Sequence, residues 1–208
     1  MKTIYFTDRK HDIIHVDHIK INKRAIRHRE KKKEDHEMVS KKVKDLLNNQ
    51  VNAEFYSAYL YLDFSNYYKD AGLDGYANWY MIQAQEERDH AMLFIQYLQQ
   101  QGEAVVLEAI DKPDKEYKEF IDPLEMGAEH ERVVTDLINK IYAAAYEEHD
   151  FRTMQFLDWF VKEQAEEEDN ADDNVTKFKL FGSDSRSLYE LDAEMKARVY
   201  TAPSLTLD

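Results

Sequence analysis

From Val39 to Phe181, apolar side chains recur every three or four residues in four long runs, and each run ends where helix-stopping residues appear. The first run extends from Val39 to Tyr68 and stops before Ala71-Gly72. The second opens near Asp74, which is placed to act as an N-cap, and reaches Gln101 before Gly102. These two predict long antiparallel helices joined by a short turn. A third run opens at Asp122-Pro123, an acidic cap with a first-turn proline, and ends near His149; the fourth follows at once and ends near Phe181. Between the second and third runs, Glu103 to Ile121 contains Val105-Val106-Leu107 and Pro113 but no helical stripe. Its length suits a crossover from one end of a bundle to the other, which leaves the second and third helices parallel. A short last helix, Ser185 to Val199, carries Leu188, Leu191 and Met195 on one face. That strip is too narrow to stand alone, so it must pack on the bundle or on a neighbouring subunit. The expected fold class is all-α.

The apolar stripes turn polar at matching depths. Val43, Leu47, Gln50, Glu54 and Tyr61 follow one face of the first helix, and Phe156, Phe160, Gln164, Glu167 and Ala171 follow one face of the fourth. On the third, Glu131 precedes Val134, Ile138 and Ile141. The second carries Gln85-Glu86-Glu87-Arg88-Asp89-His90, in which Glu87 and His90 face the same way one turn apart. Glu-x-x-His alone is a weak signal, and any one of these glutamates could sit on a solvated face. Four helices each bringing a carboxylate inward is a stronger one. Carboxylates buried together repel and cost several kcal/mol each unless neutralised, and a divalent metal supplies the counter-charge. Oxygen donors with an imidazole nitrogen suit iron, manganese or zinc better than calcium or copper.

Composition narrows the field. A chain of 208 residues can bury one sizeable core, and five glycines and three prolines leave its helices unbroken. The absence of cysteine removes disulfides, thiolate ligands, iron-sulfur clusters and thiolate-held structural zinc. No apolar run approaches the roughly 20 residues that span a bilayer, and no apolar leader opens the chain, so no membrane association and a cytoplasmic location are expected. A net charge of −14 argues against nucleic acid as a partner and is compatible with drawing in cations.

The charge is unevenly spread. Residues 1–37 hold eleven basic against seven acidic side chains, whereas the remainder holds 17 against 35. The leading segment also contains five of the eight histidines, His11, His15 and His18 among them, ends in the basic run Arg27 to Lys33, and shows little apolar periodicity. A metal-delivery arm or a basic docking peptide fits that composition; so does a flexible extension without a role, which we expect. Lys33-Glu34-Asp35 can also be encoded by a purine-rich ribosome-binding sequence, with Met38 at start-codon spacing, so that residues 1–37 read as upstream sequence outside the natural chain. The expected organisation is thus an extension over 1–37 and one helical domain over 38–208.

Four stretches resemble the helix motifs of bacterial non-haem ferritins: Asn52-Ala53-Glu54-Phe55-Tyr56-Ser57 with Tyr61; Gln85 to His90; His130-Glu131; and Trp159-Phe160-Val161-Lys162-Glu163-Gln164-Ala165-Glu166-Glu167. Motif order, spacing and the terminal Ser-Leu-Tyr-Glu-Leu-Asp agree from Met38 to about Tyr200. The resemblance implies a ferritin-like four-helix bundle with a long crossover between its second and third helices and a short fifth C-terminal helix. It also implies iron storage with ferroxidase activity, in which Fe(II) is oxidised by dioxygen or hydrogen peroxide at a diiron centre and kept as a ferric oxyhydroxide mineral inside a homo-oligomeric shell of 24 subunits. Carried over by position, Glu54, Glu87 and His90 match a first iron site and Glu87, Glu131, Gln164 and Glu167 a second, with Glu87 bridging. Glu86, Glu163, Glu166 and Glu167 match a third, nearby site, and Tyr61 matches the tyrosine beside the centre. Bacterioferritins, rubrerythrins and ribonucleotide reductase small subunits carry a second Glu-x-x-His on the fourth helix, where this chain has Gln164 and Glu167; no haem is expected. In the same register, positions that line threefold iron pores in animal ferritins are Met154 and Leu157 here.

Two other classes compete with this expectation. A metal buffer or structural bundle would pair its acidic stripes with lysines, and none of the inward positions has a basic residue on its own stripe; a diiron oxygenase would want the second Glu-x-x-His. A chain beginning at Met38 is expected to form the same particle and oxidise iron at the same rate as the full sequence, measured by particle mass and stopped-flow oxidation. Failure of the shorter chain to assemble would make residues 1–37 a working arm.

Overall fold

A computed structural model describes residues 39–207; the extension expected over 1–37 and the start at Met38 fall outside them. The described residues form five helices: α1 (Lys41–Asp70), α2 (Asp74–Gln100), α3 (Asp122–Glu147), α4 (Phe151–Phe181) and α5 (Ser185–Met195). The expected all-α class is observed, with a short fifth helix after four long ones; that helix ends at Met195 and not at the expected Val199.

Several helix boundaries have a local cause. Ser40 caps α1 by accepting from Val43 N (3.3 Å), and Asp150 caps α4 by accepting from Thr153 N (3.1 Å) and from its hydroxyl (2.5 Å). Gly72, at φ +81, lets the chain reverse between α1 and α2 where a side chain would be strained. Between α3 and α4 the same left-handed conformation falls on His149 (φ +57). The caps expected at two other helix starts are supplied differently. Asp74 is already helical, and the position before it, Leu73, offers no side-chain cap. The free N–H groups of Gly75 and Tyr76 are instead taken by Asp192 Oδ1, at 2.8 and 3.0 Å, from α5. Asp122 likewise caps the preceding turn, accepting from Lys118 N and Glu119 N, while Pro123 opens α3.

The crossover runs the length of α1 without secondary structure of its own. It is tied down in register: Lys44 to Glu103 (3.3 Å), Asn48 to Val106 N (2.7 Å), Asn52 to Ala109 O (3.1 Å), Tyr117 to Asp63 (2.5 Å) and Tyr68 to Phe120 O (2.6 Å). Side-chain amides and tyrosine hydroxyls thus satisfy backbone groups that a ladder or helix would otherwise pair.

The interior is divided into two apolar clusters. One gathers Val43, Leu47, Leu98, Ile138, Ile141, Leu157 and Phe160, where α1 and α4 begin and α2 and α3 end. The other gathers Tyr61, Phe64, Tyr68, Tyr76, Tyr80 and Leu124 at the opposite end, closed by Leu191 and Met195 of α5. Of the two positions matched in register to pore positions of animal ferritins, Leu157 is fully buried in the first cluster and Met154 is part-exposed. On every long helix the segment between the clusters carries buried polar residues, Glu54 on α1, Glu87 and His90 on α2, Glu131 on α3, and Gln164 and Glu167 on α4.

The docking of α5 is close enough to test. A Cβ on Gly75 would lie 1.6 Å from the Asp192 carbonyl oxygen, so Gly75→Ala is expected to lever α5 away and destabilise the fold by about 1–3 kcal/mol. Asp192→Ala, which removes only the cap, is expected to cost about 0.5–2 kcal/mol. Denaturant unfolding, with protease cleavage near Gly182 as the sign of a loosened α5, measures both.

Candidate metal centre

Glu54, Glu87 and His90 are each 1–2 % exposed, and they present ligand atoms that all lie within 4.8 Å of one another. Regular helix geometry explains the pair on α2, since residues three apart share a face; Glu54 meets them because α1 and α2 pack along their full length. Gln50, one turn before Glu54, donates to its Oε1 at 2.9 Å. Oε2 of Glu54 is buried without any hydrogen-bond partner. A buried carboxylate oxygen left without a donor is costly, and a cation is the partner such an atom lacks. His90 directs Nδ1 toward Glu87 Oε2 at 3.3 Å, and its ring is held edge-on by Trp159 and Phe160 with centroids 5.5 and 5.8 Å away.

The other predicted residues lie at the same level of the bundle. Gln164 donates to Glu131 Oε2 at 3.1 Å and to the Glu131 carbonyl at 3.3 Å, and Tyr61 donates its hydroxyl to Glu131 Oε1. Glu167 receives a hydrogen bond at 2.6 Å from Gln83. Glu131, Gln164 and Glu167 are therefore buried beside the Glu54, Glu87 and His90 group and are engaged by neighbouring side chains.

Electrostatics mark the layer as a single strained unit. Burial, with Glu87 beside it, holds the Glu54 carboxyl far above its ordinary value of 4.5. Burial and the neighbouring Glu131 do the same to Glu87, and burial with Glu131 and Glu87 does so to Glu167. Glu131 is raised by burial, against the pull of the Tyr61 and Gln164 hydrogen bonds. Glu87 thus lies between Glu131 and Glu54. Burial and mutual repulsion thus favour the protonated carboxyls, and a bound divalent cation would relieve the same cost. Burial beside Glu131 keeps the Tyr61 hydroxyl protonated and therefore a donor.

The residues predicted for a third site line one cleft of about 340 Å³, with His90 and Glu167 at its inner wall, half-buried Glu86 and Glu163 along it and exposed Glu166 at its mouth. Sequence reasoning missed the cation that faces them. Arg198, beyond α5, donates to Glu86 Oε2 at 2.5 Å and to Gln83 Oε1 at 2.6 Å, and lies 4.1 Å over the Trp79 ring. It also missed the roles of Gln50 and Gln83, for which a signal existed: each precedes an inward glutamate by four residues on the same stripe. His130, adjacent to Glu131, points elsewhere. It bonds Ser57 Oγ at 2.8 Å between the rings of Tyr56 and Tyr61, and burial pushes it down to about 4, so it stays neutral.

Similarity to known proteins agrees with this geometry. Residues 44–181 match the family model described as a ferritin-like domain. The chain is 38 % identical to a bacterial non-haem ferritin of Campylobacter jejuni, over 76 % of this chain and 95 % of that one. It is 36 % identical to a probable bacterial non-haem ferritin-like protein of Haemophilus influenzae, over 76 % and 96 %. Among solved structures it resembles the open-pore ferritin of the archaeon Archaeoglobus fulgidus, with a TM-score of 0.76 and 42 % identity, covering 78 % of this chain and 99 % of that one. With this match across all four long helices and the carboxylate layer between them, the chain belongs to the ferritin family.

Proposed function

We propose that this protein stores iron and that the buried layer is its ferroxidase centre. The observation that carries the reading is the group of Glu54, Glu87 and His90, fully enclosed, with one carboxylate oxygen lacking any partner. In this reading Glu54, Glu87 and His90 hold one Fe(II), and Glu87, Glu131, Gln164 and Glu167 hold a second, Glu87 serving both. Four carboxylates then balance two divalent ions in a setting that strongly penalises net charge. Two Fe(II) give one electron each to dioxygen, which with two protons leaves as hydrogen peroxide; with hydrogen peroxide as oxidant the same two electrons and two protons give water.

Oxidation raises the iron charge from four to six against the same four carboxylates. The imbalance favours hydrolysis of the ferric product and its departure, and the acidic cleft of Glu86, Glu163 and Glu166 is the adjacent place for it. Ferric iron then accumulates as oxyhydroxide mineral within a shell of identical subunits, 24 by the family pattern. Tyr61 orients Glu131 through its hydroxyl, and Gln50 and Gln83 orient Glu54 and Glu167. The two apolar clusters keep bulk water from the layer, which strengthens every ion-ligand contact inside it. Among the described residues no helix is long and apolar enough to cross a membrane, which is compatible with work in the cytoplasm.

The deciding experiment is anaerobic loading with Fe(II) followed by admission of oxygen, alongside particle mass. Far more iron is expected to be retained than the two or three ions per chain that the ligands can bind; uptake that stops at that ratio leaves only a metal buffer. Glu87→Ala is expected to slow the first oxidation by at least about a hundredfold, since it removes a ligand from both positions. An unchanged initial rate would sink the assignment.

The raised carboxyl values also fix a pH dependence. Protons held by Glu54, Glu87 and Glu167 stabilise the metal-free fold below the unfolded-state value, and that stability is lost as pH rises through the folded-state values. The metal-free protein is therefore expected to melt at lower temperature as pH increases from about 5 to about 8, and Glu54→Gln to flatten the slope. Zinc, which is redox-silent, is expected to restore the loss with release of protons, read by calorimetry in buffers of different ionisation enthalpy.

A further inference from the structure

The segment after α5 returns across α2 and α4 instead of leaving the bundle. Asn78 fixes the backbone of Arg198 by donating to its carbonyl at 3.1 Å, and Trp159 Nε1 donates to Ser204 at 2.9 Å. Arg198 and Glu86 are only 16 % and 15 % exposed, so their ion pair is well shielded from water. Arg198 is the one permanently charged cation among the described residues that line the cleft.

Its second contact reaches further in. A guanidinium can only donate, so the Gln83 amide must turn Oε1 to Arg198 Nη1, at 2.6 Å, which leaves Nε2 to give to Glu167 Oε2 at 2.6 Å. Arg198 therefore fixes Glu167 through one intervening side chain. Glu167 belongs, by position, both to the buried centre and to the inner wall of the cleft.

We propose that Arg198 is a positioning residue that couples the two places: it stands in for a cation at Glu86 and, through Gln83, keeps Glu167 on the buried centre until a metal ion arriving at Glu86 displaces it. While the guanidinium is seated, Glu167 is held as a ligand of the buried pair. When a metal takes Glu86, the guanidinium leaves both Glu86 and Gln83, the Gln83 amide is free to turn, and Glu167 can swing toward the cleft. Occupation of the outer site and release from the inner one become a single event. This rests on the ferroxidase reading of the layer, but it concerns a residue on which that reading places no demand.

The test uses zinc on the full-length, assembled, metal-free protein, so that binding is measured without turnover. Arg198→Gln removes the charge, and Arg198→Lys keeps the charge but not the fork that reaches two acceptors. In Arg198→Gln the third zinc ion is expected to bind about three- to tenfold more tightly, because it no longer displaces a cation, while the second binds more weakly because Glu167 has lost its support. Arg198→Lys is expected to leave the third ion near the parent affinity and still weaken the second. Glu86→Gln is expected to lose the third ion and keep the first two. In a Trp159→Phe background, where Trp79 is the remaining tryptophan, emission is expected to change only with the third equivalent, as the guanidinium leaves the ring. A residue that merely braces the fold would weaken all the ions together or none, and either result overturns the proposal. So does a third ion that binds Arg198→Gln no more tightly than the parent, or a Trp79 signal that ignores it. Failure of the first two ions to bind the parent protein would instead overturn the ferroxidase reading, and this inference with it.

Discussion

Four carboxylates placed at one level of a closed helical bundle are the constraint on which the rest of this structure depends. Burial alone holds each above its ordinary protonation range, and proximity adds to it: Glu131 acts on Glu87, and both act on Glu167. A sequence selected only for stability would fill that layer with leucine. Keeping it acidic means that the apolar clusters on either side must carry the fold, and the separation is clean, aliphatic and phenylalanine-rich at one end and tyrosine-rich at the other. On the proposed reading of that layer as a metal centre, stability and cargo binding are linked through the same side chains.

The layer is held by neutral amides where salt bridges would be self-defeating. Gln50 donates to Glu54, Gln83 to Glu167 and Gln164 to Glu131. An amide satisfies a carboxylate oxygen and fixes its direction without cancelling the charge that attracts the ion, whereas a lysine at the same place would neutralise the site. The oxygen left over, Oε2 of Glu54, is where compensation by protein ends. Positive charge appears only one layer further out, as Arg198 on Glu86, where it balances the outer cleft without entering the inner one.

The C-terminal part of the chain, which looks peripheral in order, closes circuits begun far upstream. Asp192 caps α2 from 117 residues away by accepting from Gly75 N. Arg198 reaches Trp79, Gln83 and Glu86 on that same helix. The first half of α2 is therefore governed from the far end of the chain, at its backbone by Asp192 and along its ligand face by Arg198. The crossover does the corresponding work for α1, its backbone paired in sequence order with Asn48, Asn52 and Tyr68.

How much of this was legible in the residues follows from the range of the forces involved. Helical periodicity is local, so the four long helices, the crossover and the short last helix could be read from the spacing of apolar side chains. The inward faces of Glu54, Glu87, His90, Glu131, Gln164 and Glu167 followed from the same periodicity, because a polar residue on an apolar stripe must be buried when the stripe is. Three things were not legible. The cap of α2 looked local, at Asp74, but comes from Asp192, because any acceptor that reaches a helix start serves equally well and only packing decides which one arrives. The complete burial of Leu157 depends on how α4 meets the other helices, which register along one helix does not specify. Arg198 fell within the last helix expected over Ser185 to Val199; that helix stops at Met195, and the guanidinium meets Gln83 and Glu86 only because the chain folds back over α2. Sequence by itself set which side chains face inward on each helix, since that depends on turns a few residues long. Tertiary structure alone decided which distant side chain completes each of them, since hydrogen bonds and ion pairs act over a few ångströms in space and carry no memory of separation along the chain.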